Sequence, residues 1–226
     1  MQAEDLLGRI RDYAVPRNAT DCGGAWLRQK GEMRFTPDGP WMPFAAEEWF
    51  RGGGIDFRWQ AQVRMHRLIR ASVCDFFEGG KGELTARIFG LIPVARSRGS
   101  ATDRGEALRG LAELPWHPLA FGEAPGLSWK ALSADRLRAR FDDGQTQAEA
   151  VFEVNAQGQV CGGSASSRPR MAGKSFVETP WSGIFGEYKL MDGLRVPTTA
   201  EAMWHLSEGP FLYWRCRVIE FRVLKP

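Results

Sequence analysis

One group of charged residues has the spacing that acid-base chemistry needs. Glu106, Arg109 and Glu113 are separated by three and four positions, so a helix would place them in one stripe. If the rest of the protein covered that stripe, burial would raise the pKa of a glutamate, which could then act as an acid or a base. On a solvated helix the same residues form a surface salt-bridge ladder of little energy. The periodicity alone favours the surface ladder.

A second polar group lies in an otherwise apolar segment. Asp75 alternates with Val73 and Phe77, so in a strand the three side chains share one face. A carboxylate buried on that face requires a partner such as an arginine. The candidate catalytic residues are therefore Asp75, Glu106, Arg109 and Glu113.

The aromatic content points to a binding function. The chain has nine Trp and fourteen Phe but only three Tyr, and large apolar rings must be buried or used in binding. Because the Trp residues are spread over nearly every predicted element, we interpret them as the lining of one interior, either fully packed or open to an apolar ligand. The residues assigned to ligand binding are Trp41, Phe44, Trp59, Trp116, Arg170, Trp181, Tyr188, Trp204 and Tyr213.

Motifs for cofactor, metal and nucleophilic chemistry are not found in the sequence. Residues 79–82 are glycine-rich but join two predicted strands, so they offer no helix N-terminus to a phosphate. Residues 162–166 lack the second glycine of a nucleophile elbow. The three His and four Cys show no metal-ligand spacing. We therefore predict no cofactor, no metal site and free, mostly buried thiols.

Charge and hydropathy limit the class of partner. Thirty basic and 27 acidic residues are interspersed and leave a net charge of +3, which is not the basic footprint of a nucleic-acid-binding protein. The N-terminus has acids where a signal peptide needs bases, and no stretch approaches the roughly 20 apolar residues that span a bilayer. We expect a cytoplasmic protein without a transmembrane segment, whose partner is a hydrophobic small molecule or lipid.

The first half of the chain alternates between helical and strand periods. Helical spacing predicts a short helix over residues 3–15, and a strict two-residue period predicts a strand over 55–67. Further strands are predicted at 25–36, 71–77 and 82–97. A central helix is predicted over 103–114, with Asp103 and Glu106 in the N-cap and N3 positions of a capping box.

The second half returns to strands with tight turns. They are predicted at 136–141, 146–154, from 160 onward, and at 181–190, 195–206 and 211–224. Arg168 and Arg170 are placed in a loop. In the last strand the apolar phase moves by one residue, which predicts a β-bulge or a twist point near Val218.

About nine strands interrupted by one central helix predict an α+β fold. We expect a single curved antiparallel sheet, an open half-barrel, with the short N-terminal helix and the central helix packed on one side. A β-sandwich is the competing architecture. The chain is expected to form one domain, with the helix and lead-in at 1–23 and the half-barrel at 24–226.

Several segments resemble an uncharacterised bacterial family of unknown function. They are Trp-Met-Pro-Phe-Ala at 41–45, Phe-Arg-Trp-Gln-Ala at 57–61, Gly-Glu-Ala-Leu-Arg at 105–109, Leu-Ala-Glu-Leu-Pro-Trp-His-Pro at 111–118 and Pro-Trp-Ser-Gly at 180–183. The resemblance extends from about residue 24 to the end and implies no reaction. The C-terminal meander is also similar, at the level of fold, to periplasmic lipoprotein carriers, which are open half-barrels that shelter acyl chains.

Three functions are compatible with these observations. The leading hypothesis is a module that binds a hydrophobic small molecule or lipid in a Trp-lined cavity. The alternative is an enzyme that acts on a hydrophobic metabolite in the same cavity, with Asp75 or the row Glu106, Arg109 and Glu113 supplying acid-base chemistry. A structural or partner-binding domain fits if the aromatic residues prove to form surface patches.

Overall fold

A computed structural model describes residues 2–16, 23–122, 124–173 and 175–225. Within them the chain forms two α-helices, α1 (Ala3–Ala14) and α2 (Ser100–Ala112), and two short 3-10 turns at Leu114–Trp116 and Pro118–Ala120. The strands are β1 (Gly24–Met33), β2 (Met42–Arg51), β3 (Phe57–Arg64), β4 (Arg70–Glu78), β5 (Lys81–Ile88), β6 (Ile92–Ser97), β7 (Leu127–Ala131), β8 (Arg136–Asp142), β9 (Gln147–Val154), β10 (Val160–Ala172), β11 (Ser175–Met191), β12 (Leu194–Leu206) and β13 (Gly209–Leu224).

All the strands belong to one antiparallel sheet. Its order is β6-β5-β4-β3-β2-β1-β13-β12-β11-β10-β9-β8-β7, so strands that are neighbours in sequence pair with each other, except β6 and β7 at the two edges, and β1 pairs with β13 in the middle. Short connections allow only this antiparallel pairing between successive strands. The predicted curved antiparallel half-barrel with two helices is confirmed. The described residues contain thirteen strands rather than about nine.

The difference in strand number has local causes. β2 and β7 were not predicted, and the expected strand at 82–97 is a hairpin, β5 and β6. Its turn uses Phe89 and Gly90 with φ of 53° and 72°. Such a turn normally has Asn, Asp or Gly at both positions. Because Phe89 occupies one of them, the sequence did not indicate a turn there.

Two irregularities in the strands bear on the prediction. Gln29 pairs with Val218 and Arg28 with Glu220, so Ile219 is an extra residue and the predicted bulge is confirmed. The prediction of a loop at Arg168 and Arg170 is wrong, because β10 runs through both. The register of β10 against β11 shifts just before Arg168, so the irregular segment is a bulge inside a strand.

Helix α2 connects the two edges of the sheet. It follows β6, leads through the 3-10 turns to β7, and packs against β4 and β5 on one side and β8, β9 and β10 on the other. The sheet face that it contacts is called the inner face below. The close approach depends on glycine: a Cβ at Gly110 would lie 2.2 Å from the carbonyl oxygen of Ile55, and one at Gly82 would lie 2.9 Å from that of Thr102.

The predicted capping box is not at the helix start. α2 begins at Ser100 after Gly99, so Asp103 lies inside its first turn. The Asp103 carboxylate instead accepts the backbone N–H of Gly82 at 2.8 Å. A contact with the sheet, absent from any local pattern, sets the position of this end of the helix.

The core fills the space between the inner face, α2 and α1. Its largest fully buried side chains include Trp59, Trp116, Phe50, Phe77 and Phe121. Neither of the described helices has the length and apolar character needed to cross a bilayer.

Candidate functional site

Strand register brings three side chains into one row on the inner face. Glu48 of β2 pairs with Trp59 of β3, which pairs with Asp75 of β4. All three are buried. Since alternate residues of a strand share a face, this row is a consequence of register rather than of proximity in sequence.

Helix α2 places an arginine over this row. Arg109 donates through Nη1 to Asp75 Oδ2 at 2.8 Å, through Nη2 to Glu48 Oε1 at 3.2 Å and through Nε to Glu113 Oε1 at 2.9 Å. Its guanidinium carbon also lies 4.9 Å from the ring centres of Phe57 and of Trp59. We call Glu48, Asp75, Arg109 and Glu113 the Arg109 cluster.

The charged row of α2 therefore faces the sheet. Glu106 and Glu113 are only 8% and 9% exposed, so the interpretation as a solvated surface ladder is wrong. Packing explains the error. Because the sheet is curved and α2 crosses it, the sheet covers both the apolar face and the charged face of the helix. Arg109 pairs with Glu113, whereas the ion pairs of the described residues do not include Glu106.

Burial changes the acidity of these carboxyls. Burial raises the pKa of Asp75 to about 6, although the Arg109 charge opposes the rise. Burial, and next the Asp75 charge, raises the pKa of Glu106 to about 8. For Glu48, burial and the neighbouring Glu113 raise the pKa well above its ordinary value. The pKa values of Asp75 and Glu106 thus differ in the way that those of a catalytic base, here Asp75, and a catalytic acid, here Glu106, differ.

Several polar atoms near the cluster have no hydrogen-bond partner among the described residues. They are Asp75 Oδ1, Glu106 Oε2, Glu113 Oε2, Trp59 Nε1 and Arg168 Nε. Buried polar atoms normally have hydrogen-bond partners. A group of unpaired polar atoms in one region therefore indicates that their partners are missing.

All of these residues border one cavity of about 430 Å³. Of the predicted ligand-binding residues, the cavity is lined by Trp59, Trp116, Arg170, Trp181, Trp204 and Tyr213. The predicted catalytic residues Asp75, Glu106, Arg109 and Glu113 line the same space. Aliphatic and aromatic side chains form most of the remaining wall, including Met33, Val73, Leu84, Phe185 and Trp214.

Three predicted ligand-binding residues lie outside the lining of this cavity. Phe44 is buried in the core against Trp59 and Trp214. Tyr188 donates its hydroxyl to the carbonyl oxygen of Val160 at 2.8 Å. Trp41 contacts two guanidinium groups, those of Arg34 and Arg215, whose central carbons each lie 4.6 Å from its ring centre. Aromatic type alone did not distinguish core packing from cavity lining.

Two residues of the site were not predicted as site residues. Arg168 lines the cavity, where its guanidinium carbon lies 5.2 Å and 5.5 Å from the ring centres of Trp181 and Trp204. Glu48 was missed together with β2. A signal for it exists, since Met42, Phe44, Ala46 and Phe50 alternate and Glu48 interrupts their apolar phase, as Asp75 does in β4.

The described cysteines do not line the cavity. Cys74, Cys161 and Cys216 are free thiols, and Cys22 lies outside the described residues. The part of the chain that the structure describes has no group of three or more His, Cys, Asp or Glu side chains arranged to hold a metal ion.

Known structures share the fold at low sequence identity. A LolA superfamily protein from Nitrosomonas europaea is 12% identical with a TM-score of 0.55, covering 100% of this chain and 95% of that one. A DUF1329 family protein from Desulfovibrio piger is 11% identical with a TM-score of 0.55, covering 98% and 91%. A proposed outer membrane lipoprotein-sorting protein domain from Vibrio parahaemolyticus is 12% identical with a TM-score of 0.54, covering 98% and 93%.

Sequence comparison agrees with the resemblance found in the motifs. No curated protein matches the chain in sequence. The model of a family of unknown function, DUF6544, matches residues 12–216 and includes every residue of the Arg109 cluster. This chain is therefore a member of the DUF6544 family.

Proposed function

We propose that the protein binds a hydrophobic small molecule or lipid whose apolar part lies in the cavity. The observation that carries the proposal is the cavity itself, about 430 Å³ between α2 and the inner face. Its volume is within the range of small-molecule sites, which are mostly apolar with a few polar groups. Those polar groups are Asp75, Arg109 and Glu113 of the Arg109 cluster together with Glu106 and Arg168, which all line the cavity.

Exposed apolar side chains on the cavity wall support this function. Phe35, Met171 and Phe176 line the cavity yet are 65%, 49% and 37% exposed, so they lie where it opens to solvent. Exposure of these apolar side chains to water is unfavourable, and an apolar chain that covers them reduces this cost in free energy.

The fold similarity gives independent but weaker support. One similar structure is described as a proposed lipoprotein-sorting domain, and the lipid of a lipoprotein is a long-chain apolar group. Because a fold does not transfer its function, the cavity of this chain carries the proposal. The cytoplasmic location and the single domain remain predictions.

Native mass spectrometry of the purified full chain, followed by solvent extraction, tests the proposal. We expect a bound apolar molecule, and we expect Ala86→Trp to lose it because Ala86 lines the cavity and is only half-buried. Thr85→Trp is the matched control, since Thr85 is the next residue of β5 and does not border this cavity.

The proposal fails if no molecule is extracted and apolar probes do not bind the folded protein. It also fails if Thr85→Trp abolishes binding as completely as Ala86→Trp, because the effect would then not belong to the cavity.

A second candidate function is acid-base catalysis on an apolar metabolite in the same cavity. The observation that favours it is the pair Asp75 and Glu106, two buried carboxyls with pKa values of about 6 and about 8. Conversion of the ligand separates the functions: an enzyme changes its ligand and loses this conversion in Asp75→Asn or Glu113→Gln, whereas a binding protein releases its ligand unchanged even from the wild-type chain. Mass analysis of the extracted ligand before and after incubation with each protein measures the conversion.

A further inference from the structure

We propose that the cavity selects an apolar-chain ligand with an ammonium head group, which binds between the carboxyls of Asp75 and Glu106. This inference rests on the proposed function, and it specifies the chemical class of the ligand. A primary ammonium offers three N–H donors and no acceptor, which suits a site that has unpaired carboxyl oxygens.

The balance of charges around Arg109 leaves room for one cation. Glu48 accepts hydrogen bonds from Gln29 at 3.0 Å and Arg109 at 3.2 Å, and burial with the adjacent Glu113 raises its pKa, which disfavours its ionised form. Asp75, Glu106 and Glu113 then remain as ionisable carboxyls against the guanidiniums of Arg109 and Arg168. When all three ionise, one negative charge is unbalanced, which equals the charge of one ammonium group.

The other charged residues of the cavity wall do not alter this balance. Arg96 and Arg98 share Glu83, at 3.0 Å and 2.5 Å, and both arginine side chains are more than half exposed, so solvent screens their charge. Arg170 and Glu201 contribute one charge of each sign. The excess of one carboxylate therefore remains.

Hydrogen-bonding atoms place the head group within the cavity. Asp75 Oδ1 and Glu106 Oε2 have no partner among the described residues, and each side chain belongs to a residue only 8% exposed. Both residues line the cavity. The carboxyls of Glu48 and Glu113 are close enough to share a hydrogen bond when one of them is protonated, so Asp75 and Glu106 are the two carboxyls that still need a donor.

The raised pKa of Glu106 is what we expect of a carboxyl whose ammonium partner is not bound. Burial and the Asp75 charge raise its pKa to about 8, so Glu106 keeps a proton at neutral pH. A bound ammonium would replace that proton as the positive charge beside the carboxyl. The proton is released to solvent on binding, and no bond other than O–H is broken.

Arg168 raises the opposite possibility, an anionic head group. Its Nε has no acceptor, but its guanidinium is half-buried and faces the rings of Trp181 and Trp204, which stabilise a cation. Asp75 accepts from Arg109 through Oδ2, but Asp75 Oδ1 and Glu106 Oε2 have no donor in place of water. The unpaired groups of the cavity therefore require a hydrogen-bond donor more than an acceptor.

Three probes with the same chain test the inference: dodecylammonium, dodecanol and dodecanoate. Each is titrated into the full chain at neutral pH, below its micelle-forming concentration, and intrinsic Trp fluorescence or calorimetry gives the Kd. We expect dodecylammonium to bind at least about tenfold more tightly than either other probe.

Variants locate the preference. Glu106→Gln and Asp75→Asn should each weaken dodecylammonium binding by about tenfold and change dodecanol binding by less than about twofold. Glu201→Gln is the matched control, because it removes a carboxylate of the same cavity wall outside the Arg109 cluster, and it should leave the preference intact.

The outcomes separate this inference from the proposed function. Tighter binding of dodecanoate or equal binding of all three probes to the wild-type chain overturns the ammonium site and leaves cavity binding in place. Equal loss in Glu201→Gln and Glu106→Gln overturns the assignment to Asp75 and Glu106. If none of the three probes binds, both the proposed function and the ammonium site are rejected.

Discussion

At the scale of single residues, Arg109 is the group on which the site most depends. Its three donating nitrogens each meet a buried carboxyl, so its loss would leave Asp75 and Glu113 without a counter-charge and Glu48 without one of its two hydrogen-bond donors. Removing one partner of a buried ion pair costs far more than removing a surface pair.

We therefore predict that Arg109→Met lowers the free energy of unfolding by about 3–5 kcal/mol. Arg138→Met is the control, because Arg138 and Glu149 form an exposed pair and its loss should cost less than about 1 kcal/mol. Denaturant unfolding of the three proteins gives the comparison. Similar effects of the two substitutions would contradict a buried cluster.

Glu106 predicts a dependence of stability on pH. Its folded pKa of about 8 lies above its ordinary value of 4.5, so the folded state binds a proton that the unfolded state releases in this interval. Stability is then greatest below the ordinary value and is lost as pH rises toward 8. Relative to Glu106→Gln, the wild-type chain should lose on the order of 4 kcal/mol of unfolding free energy between these limits.

Denaturant unfolding at several pH values between 5 and 9 measures this difference for both proteins. Parallel curves for the wild-type chain and Glu106→Gln would show that Glu106 titrates normally.

The residues of the site were partly predictable from local pattern. Asp75 was identified because it interrupts an apolar alternation, and the same rule applied to β2 identifies Glu48. The environment of Glu106 and Arg109 was not predictable, since helical spacing places residues on a face but does not say what covers that face.

At the scale of elements, the contact of α2 with the sheet determines the site. Gly110 lies in the interior of this helix, and a Cβ there would be 2.2 Å from the carbonyl oxygen of Ile55. Backbone cannot move aside as a flexible side chain can, so the helix itself would have to shift.

We predict that Gly110→Ala destabilises the fold by about 1–3 kcal/mol despite the higher helix propensity of alanine. Gly8→Ala in α1 is the matched control, because no atom lies within 4 Å of the position that its Cβ would occupy and the substitution should stabilise by about 0.5–1 kcal/mol. Thermal or denaturant unfolding measures both. Stabilisation by Gly110→Ala would mean that α2 does not pack so closely.

Element prediction succeeded where the period was regular. The strict alternation at 55–67 predicted a strand, and β3 occupies Phe57–Arg64. It failed at the ends of α2 and at Arg168, because a hydrogen bond from Gly82 and a register shift in β10 depend on residues distant in sequence.

At the scale of the whole molecule, the sheet has a protected centre and exposed edges. β1 and β13 pair with strands on both sides, whereas β6 is an edge strand and its residues 92–96 are all exposed. Local stability follows burial and hydrogen bonding on both sides of a strand.

Hydrogen exchange should therefore be slow in β1 and β13 and fast in β6 of the free protein. Binding of the apolar ligand should slow exchange in β6, since Ala95, Arg96 and Ser97 line the cavity. Peptide-level exchange followed by mass spectrometry, with and without dodecylammonium, measures both effects. Ligand protection confined to β8 and β9 would contradict binding in this cavity.

The sequence by itself determined the class of fold, the alternation of buried and exposed positions in most strands, and the identification of Asp75 as a candidate site residue. These depend on neighbours along the chain. Only the tertiary structure decided that the charged stripe of α2 is buried, that Glu48 and Arg168 join it, and that the aromatic interior is hollow. Those properties arise from strand register and from a helix that crosses between sheet edges, which bring together residues from β2, β4, β10 and α2.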